Sequence, residues 1–451
     1  MGTKKKVMLI QPGGLHEVTW FPHGLMAVSS ALLEGGFESI IIDQRIDENW
    51  RDRISEKIND CFVVGFTIMS GSPITHALLA AEYVKDIAPN VPTLFGGYHA
   101  SILPMQTIKH PLVDYVYIGA AGSDLVVFMN ALLDRKQDLQ KLSSIVAKGT
   151  NGTQPMSKMD LDVSIYRNWR ASYGSILNPE GYRSHNNIAS FFLTYSCPYD
   201  CAFCAIVNVH RFKMRNSEYI INELKYLLEE KKYSKIAFLD GLLFAGQRTL
   251  RVFRQMADSG LSFEWRGNAR ADSFDSYSDD DIGWLANHGM KSLLFGFESG
   301  SDKILTILNK RHSVQQCIDV IKRYSNYDVD VHASMMTAIP GETVDDLKKS
   351  IDFLFKLKEV NKRTSFNMNT FIPVPGSKTY ADMIGSGWSP VEDRLECYGS
   401  NQSYSERLQR SNLPWLSNKE FQEYYSLHDL YFGSGNSMSK FGSNRGTWLK
   451  V

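Results

Sequence analysis

The sequence has few cysteines, no excess of charge and no long apolar run. Its 451 residues contain six cysteines, which is too few for a disulfide framework. Lys and Arg total 49, and Asp and Glu also total 49, so the basic excess typical of nucleic-acid binders is missing. No apolar stretch approaches the roughly 18 residues that span a bilayer. The sequence therefore disfavours a disulfide-rich, nucleic-acid-binding or membrane-spanning protein.

The composition predicts a large folded protein. Hydrophobic residues make up 43% and charged residues 22% of the sequence, enough apolar surface for a buried core and incompatible with intrinsic disorder. The length suggests about three domains. Three lysines at 4–6 precede only four apolar residues, which predict a short strand rather than a signal peptide, so we expect a cytoplasmic protein.

Residues 1–135 alternate between strand and helix patterns, which predicts a doubly wound, flavodoxin-like parallel sheet. The predicted strands are 7–10, 39–42, 62–67, 93–95 and 115–118. Ligands of such sheets bind at the carboxyl ends of the strands. Here those ends are short segments rich in glycine and other small residues, at 11–14, 69–73, 96–99 and 119–122.

The rest of the chain predicts a linker, a second α/β domain and a C-terminal segment. Residues 136–185 are polar and irregular, as a linker would be. Residues 186–380 predict a partial, open barrel of six strand–helix units, with its site at the carboxyl ends of the strands. Its predicted strands are 189–194, 235–239, 263–268, 292–297, 329–336 and 365–372. Residues 381–451 are rich in aromatic side chains, and we expect this segment to cap the substrate site.

Three of the six cysteines, Cys197, Cys201 and Cys204, lie within eight residues, directly after the first barrel strand. Such a cluster in a loop indicates binding of a soft metal by thiolates. A structural zinc site would need a fourth ligand, for which His210 is near enough. An iron–sulfur cluster held by three cysteines would leave one iron open. Spacing alone leaves both interpretations open.

The surroundings of the three cysteines resemble the radical S-adenosylmethionine (SAM) superfamily. The cysteines follow the first strand of a six-strand barrel, and an aromatic residue, Phe203, precedes the last of them. Segments at the ends of the later strands resemble that family in the same order, at 239–241, 266–270, 296–299, 338–342 and 373–377. The resemblance covers about residues 186–380.

This resemblance implies a [4Fe-4S] cluster on Cys197, Cys201 and Cys204, with SAM chelated to the open iron. It also implies contacts of 239–241 with the methionine amino group, of 296–299 with the ribose and of 338–342 with the adenine. The candidate SAM-binding residues are therefore Asp240, Gly241, Arg266, Asn268, Arg270, Glu298, Ser299, Ile339, Pro340 and Gly341. The family uses an external one-electron reductant of flavodoxin or ferredoxin type.

The first domain resembles the cobalamin-binding domain of cobalamin-dependent radical SAM enzymes. The candidate cobalamin-binding residues are Gln11, Met69, Ser70, Gly71, Gly96, Gly97, His99 and Gly119. Two features depart from related domains. The Asp-x-His-x-x-Gly segment that brings histidine to cobalt is absent. His16 and His99 are possible ligands, but the favoured role for each is hydrogen bonding near the corrin or its nucleotide tail. Gly119-Ala-Ala-Gly122 replaces a Gly-Glu-Gly-Glu segment, so a degenerate domain without cobalamin is an alternative.

The resemblance implies methyl transfer from SAM, through methylcobalamin, to an unactivated carbon or phosphorus of a small-molecule substrate. A 5′-deoxyadenosyl radical would activate the substrate. The alternative is a radical cyclase, ring-rearranging or carbon–carbon coupling enzyme of the same architecture. A third hypothesis, a cobalamin or redox sensor without enzymatic activity, lacks a visible output module. The sequence assigns no side chain to catalysis and does not identify the substrate.

Overall fold

We describe the protein from a computed structural model that covers residues 5–14, 20–134, 142–149, 168–184, 187–209, 211–388, 394–399 and 413–432. Two six-stranded sheets form the framework of these residues. One sheet lies in the N-terminal part of the chain and the other begins at residue 188.

The first sheet has the strand order β2-β1-β3-β4-β5-β6. Its strands are β1 (Lys6–Gln11), β2 (Glu38–Asp43), β3 (Cys61–Thr67), β4 (Thr93–Gly96), β5 (Tyr115–Tyr117) and β6 (Ile145–Ala147). The first five are parallel, and β6 is antiparallel to β5. The order 2-1-3-4-5 confirms the predicted flavodoxin-like fold, whose ligand site lies where the strand order reverses.

Helices cover both faces of this sheet because its strands are apolar on both sides. They are α1 (His23–Glu34), α2 (Trp50–Lys57), α3 (Ser72–Ile87), α4 (Tyr98–Ile102), α5 (Pro104–Thr107) and α6 (Ser123–Asp134). Alternate residues of β1 enter different cores. Val7 and Leu9 pack with α1 and α6, whereas Met8 and Ile10 pack with α3.

The predicted linker 136–185 contributes structure to the first sheet. It contains β6 and helix α7 (Trp169–Gly174). After α7 the backbone of Ser175 and Leu177 hydrogen-bonds Ile41 of β2 at 2.8 and 3.0 Å. This segment therefore supplies one edge strand, β6, and contacts the other, β2, which polar composition alone did not predict.

The second sheet has the order β14-β13-β12-β11-β10-β7, with every neighbouring pair parallel. Its strands are β7 (Ile188–Phe191), β10 (Lys235–Phe238), β11 (Glu264–Ala269), β12 (Met290–Glu298), β13 (Asp330–Thr337) and β14 (Thr364–Thr370). A short antiparallel hairpin of β8 (Thr194–Tyr195) and β9 (Lys213–Met214) follows β7. Because β7 and β14 do not pair, the described barrel is open, as predicted.

The second domain contains eight helices among the described residues. They are α8 (Ile206–Val209), α9 (Ser217–Lys225), α10 (Gln247–Asp258), α11 (Asp279–Asn287), α12 (Asp302–Ile307), α13 (Val314–Tyr324), α14 (Val344–Val360) and α15 (Lys378–Gly385). Ser278 caps α11, so the three aspartates at 279–281 lie in a helical first turn, where carboxylates are favoured. Among the described helices, none combines the length and apolarity required to cross a membrane.

The two domains share a continuous apolar core. Phe21, from the first domain, packs edge-on against Tyr173, Tyr182 and Tyr233, with ring centroids 5.1–5.7 Å apart. Its backbone N–H also donates to Ser190 Oγ of β7 at 3.0 Å. Such packed aromatic contacts hold the domains in one relative orientation.

Described parts of the C-terminal segment lie on both domains. Leu395 and Tyr398 join the core of the first domain. Helix α16 (Asn418–Phe432) packs against α14 on the outside of the barrel, so this helix does not cover the barrel mouth. The predicted capping role stays a prediction, and residues 389–393, 400–412 and 433–451 lie outside the described residues.

Candidate active site

The three clustered cysteines lie in a loop fixed by backbone contacts. Ser196, directly before Cys197, has a positive φ of 62°, which turns the chain out of the hairpin. Cys204 N–H donates to the Cys201 carbonyl at 3.0 Å, and Ala202 N–H donates to the Leu308 carbonyl at 2.9 Å. The loop is therefore held against the segment that follows α12.

Burial disfavours charge on two of these thiols, Cys197 and Cys204. It raises the pKa of Cys197, and it raises the pKa of Cys204 to about 11. Bound metal supplies the positive charge that deprotonates such cysteines. Among the described residues, no three His, Cys, Asp or Glu side chains are arranged to hold a single metal ion. A cluster does not require that arrangement, because each cysteine binds a different iron.

Arg270, at the end of β11, contacts the cysteine loop directly. Its Nη1 donates to Cys201 Sγ at 3.3 Å. Asp272 fixes the guanidinium with contacts of 2.9 and 3.0 Å, and Nη2 also donates to the Lys310 carbonyl. The planar group lies 3.7 Å from the ring centre of Tyr199. Arg270 was predicted to bind SAM; its described contacts are with the cysteine loop, with Asp272 and with the Lys310 carbonyl.

Asp240 and Gly241 lie beside the cysteine loop, as the predicted SAM contact requires. Asp240 Oδ1 accepts from the Leu193 and Thr194 backbone N–H groups at 3.0 and 2.6 Å. Its Oδ2 is buried without a partner among the described residues, and burial raises the pKa of Asp240 to about 7. An ammonium group is a suitable partner for such an oxygen. A Cβ on Gly241 would lie 3.9 Å from Cys197 Cβ.

Glu298, at the end of β12, forms a buried ion pair that the sequence did not reveal. Lys310 Nζ lies 3.2 Å from Glu298 Oε1, and both side chains are at most one-tenth exposed. Glu298 has a φ of 71°, uncommon for a residue other than glycine, and such backbone strain is frequent at functional sites. The neighbouring Ser299 is fully buried and contacts Ser350 of α14 at 3.2 Å, so it stabilises the turn.

The other predicted SAM residues lie in two places, the loop after β13 and strand β11. Ile339 is buried in a small apolar cluster with Leu308 and Phe371, next to Phe203 of the cysteine loop. Pro340 and Gly341 complete the same turn. Asn268 Nδ2 donates to the Asp240 carbonyl at 3.0 Å. Arg266 instead lies over the ring of Trp20, 4.9 Å from its centre.

One cavity of about 410 Å³ connects the two domains. From the first sheet it is lined by Gly96, Gly97, Tyr98, Gly119, Ala120 and Ala121, and from the barrel by Phe192, Tyr195, Ser196 and Gly241. It continues between the sheet and helices α1 and α6, along Leu9, Gly65, Leu25 and Leu125. Its lining is mostly apolar and rich in glycine, which lets a flat ring lie close to the backbone.

The predicted cobalamin residues divide into two groups. Gly96, Gly97 and Gly119 line the cavity, and Gly97 has a φ of 92° with Thr67 Oγ1 only 2.7 Å from where a Cβ would lie. Among the described residues, Gln11, Met69, Ser70, Gly71 and His99 are not in its lining. Both ring nitrogens of His99 are hydrogen-bonded, to Ser70 and Gln106, so His99 supports the loop instead of presenting a ligand to cobalt.

His23 is the histidine that lines the cavity in the part of the chain that the structure describes; His16 and His210 lie outside the described residues. Its Nε2 is 2.9 Å from Ser190 Oγ of the barrel. Burial, with the charges of Arg215 and Arg45, lowers the pKa of His23 to about 3, so the imidazole is neutral. In the sequence, the available signal for a role of His23 is its place in the Pro-His-Gly segment at the start of α1.

Clustered thiols beside a glycine-lined interdomain cavity are typical of a metallocofactor enzyme, and comparisons identify the family of each domain. Residues 191–354 match the Radical SAM superfamily and residues 16–127 match the B12 binding domain. The chain therefore carries a radical SAM domain, preceded by a B12-binding domain. These families imply a [4Fe-4S] cluster, SAM and cobalamin as cofactors, and the match decides against zinc and against a sensor.

Three known proteins are similar over most of the chain. An uncharacterized methyltransferase of Pyrococcus horikoshii is 25% identical over 81% of this chain and 79% of its own length. The anaerobic magnesium-protoporphyrin IX monomethyl ester cyclase of Cereibacter sphaeroides is 21% identical over 74% of this chain, but the match spans only 56% of the cyclase. The radical SAM methyltransferase TsrM of Kitasatospora setae, solved with cobalamin and a [4Fe-4S] cluster, shares the fold. Its TM-score is 0.73, with 15% identity over 86% of this chain and 79% of that one.

The cavity predicts how cobalamin binding can be blocked. Gly24 lines it, and a Cβ there would meet nothing within 4 Å, so Gly24→Leu should place its side chain in the cavity. We expect cobalamin per chain to fall well below one while iron stays at about four. Metal analysis of anaerobically reconstituted protein measures both.

The matched control is Gly174→Leu, since Gly174 also lies in a helix with nothing within 4 Å of a Cβ and is not part of the cavity lining. Both variants replace a helical glycine and should be at least as stable as the wild-type protein. Normal cobalamin content in Gly24→Leu would show that the cavity is not the cobalamin site.

Proposed function

We propose that this enzyme is a cobalamin-dependent radical SAM methyltransferase. It would transfer a methyl group from SAM to an unactivated carbon, or a phosphorus, of a small-molecule substrate. The observation that supports this proposal is the shared cavity, which is lined by Gly97 and Gly119 of the B12-binding domain and by Ser196 and Gly241 beside the cluster cysteines. A methyl donor and a radical source must both reach one substrate, and this cavity gives them a common space.

When bound, cobalamin would carry the methyl group, and SAM at the cluster would supply the 5′-deoxyadenosyl radical. The chain's own residues orient these groups and exclude water. Cys197, Cys201 and Cys204 would hold the cluster, and Asp240 Oδ2 would accept from the SAM ammonium. Glu298 would face the ribose hydroxyls, with Lys310 holding its carboxylate in place.

Fixed docking of the domains is part of the proposed mechanism, because a misplaced donor would lose much of the rate. Ser190 connects them through its contacts with the Phe21 backbone and with His23. On another side, Tyr380 and Tyr398 hydroxyls are 3.1 Å apart. The neutral His23 imidazole lies where this connection meets the cavity and can hydrogen-bond a bound cofactor.

The similarity to the Cereibacter cyclase favours a second candidate, a radical cyclisation or coupling reaction in the same architecture. The two candidates differ in how they consume SAM. Methyl transfer yields S-adenosylhomocysteine as well as 5′-deoxyadenosine, whereas the alternative yields no S-adenosylhomocysteine.

The test uses anaerobic holoenzyme, reduced cobalamin and SAM labelled with deuterium in its methyl group. We expect S-adenosylhomocysteine to form in an amount equal to the bound cobalamin, with label in the corrinoid fraction. Dithionite should also produce 5′-deoxyadenosine. Formation of 5′-deoxyadenosine without any S-adenosylhomocysteine, in protein that contains cobalamin, would favour the second candidate.

A further inference from the structure

One hydroxyl of the outer helix α16 reaches the loop after β13. Tyr424 OH donates to Glu342 Oε2 at 2.5 Å, and it accepts from the Ala338 backbone N–H at 2.8 Å. The Tyr424 ring is fully buried. Its hydroxyl therefore connects the first and last residues of the loop 338–342.

Glu342 also stabilises this loop by hydrogen bonds of its own. Its Oε2 also accepts from the Ile339 backbone N–H at 3.3 Å, and its backbone carbonyl accepts from Trp415 Nε1 at 3.0 Å. Burial raises the pKa of Glu342 to about 7, and its Oε1 has no partner among the described residues. Buried polar groups in such a network stabilise one conformation only when their partners stay in place.

The loop requires this outside support because its backbone is strained. Ala338 has a φ of 62°, a left-handed conformation that a residue with a Cβ rarely adopts. Gly341 also has a positive φ, of 84°. Strained residues persist where their surroundings hold them. Here Tyr424 accepts from the backbone N–H of the strained residue itself.

We propose that Tyr424 is a positioning residue for SAM: it holds the loop 338–342 in the conformation that receives the adenine. The inference rests on the part of the proposed function that assigns this loop to SAM, and it does not depend on methyl transfer. Tyr424 acts from outside the barrel and touches no cofactor. The described helix of the C-terminal segment thereby gains a role in cofactor affinity without covering the site.

Tyr424→Phe tests the proposal because it removes the hydroxyl and keeps the ring. We expect the Kd for SAM, measured by equilibrium dialysis on cluster-loaded protein without substrate, to rise about fivefold. Hydrogen exchange of residues 338–342 should become faster even in the absence of SAM.

Tyr425→Phe is the matched control, since Tyr425 is the next residue of α16 and its side chain is 41% exposed. It should leave the Kd unchanged. Iron and cobalamin content should be normal in every variant. Trp415→Phe removes the hydrogen bond from Trp415 Nε1 to the Glu342 carbonyl and should also raise the Kd for SAM. This variant is the deciding test if Tyr424→Phe cannot be purified.

Unchanged SAM affinity in Tyr424→Phe, with normal iron content, would overturn the proposal. So would a parallel loss of iron, cobalamin and SAM, because it would show a general structural role. A different result would show that the protein does not bind SAM at all, and that the loop therefore has no role in SAM binding. That result is wild-type protein that contains the cluster but binds no SAM.

Discussion

Alanine in place of Cys197, Cys201 or Cys204 should leave the protein without its iron–sulfur cluster and without reductive cleavage of SAM. Each thiolate would bind one iron, and two remaining cysteines cannot hold the cluster against loss. Iron should fall from about four per chain to near zero. Iron analysis, visible absorbance and the yield of 5′-deoxyadenosine measure the result. Cobalamin content should be unaffected, because its predicted site is mostly in the other domain.

Cys397→Ala is the matched control. Cys397 is a partly buried cysteine outside the clustered three, in the segment packed on the first domain. It should retain the cluster and full cleavage of SAM. A variant of any of the three clustered cysteines that keeps four irons and normal cleavage would refute the assignment of the cluster ligands.

Loss of the Arg270 guanidinium should make the cluster harder to reduce. Reduction adds negative charge, and a cation that donates to Cys201 Sγ stabilises the reduced state. For Arg270→Gln we expect a midpoint potential about 60 mV more negative, which means roughly tenfold less reduced cluster at a fixed reductant potential. A redox titration followed by electron paramagnetic resonance measures this shift.

Two further variants isolate the effect of charge. Arg311→Gln is the control, because Arg311 is half-exposed and pairs with Asp200 beside the same loop, where solvent screens its charge. It should leave the potential unchanged. Since removing Arg270 strands Asp272 in a mostly buried position, Arg270→Gln with Asp272→Asn avoids an uncompensated charge. Equal potentials in the double variant and the wild-type protein would contradict the proposed role.

Local sequence patterns predicted the parts of the fold that depend on local order. Apolar runs such as 7–10 and 62–67 became β1 and β3, with β1 one residue longer at each end and β3 one residue longer at its start. The six predicted barrel strands all lie in the second sheet. The cysteine loop and the loops after the later strands were also recognisable, because each follows a strand end. Parallel strands bring such ends together.

Contacts between distant residues could not be read in the same way. Tyr424 and Glu342 are separated by 82 positions, and no periodicity connects them. Lys310 gives no signal in the sequence, since its burial against Glu298 depends on how the segment after α12 packs against the end of β12. β6 is a three-residue strand in a polar stretch, too short to show alternation. His99 was a reasonable ligand candidate by position, yet tertiary hydrogen bonds occupy both of its ring nitrogens.

The chain after the first domain also protects that domain from association with other molecules. An edge strand with open N–H and C=O groups is a template for pairing with another chain. Here β6 occupies the β5 edge, and the Ser175 and Leu177 backbone occupies groups of Ile41 on the β2 edge. A fragment ending at residue 135 would leave both edges open to aggregation. We therefore expect the segment that joins the two domains to reduce self-association of the B12-binding domain, because it leaves a strand of three residues at one edge and covers part of the other.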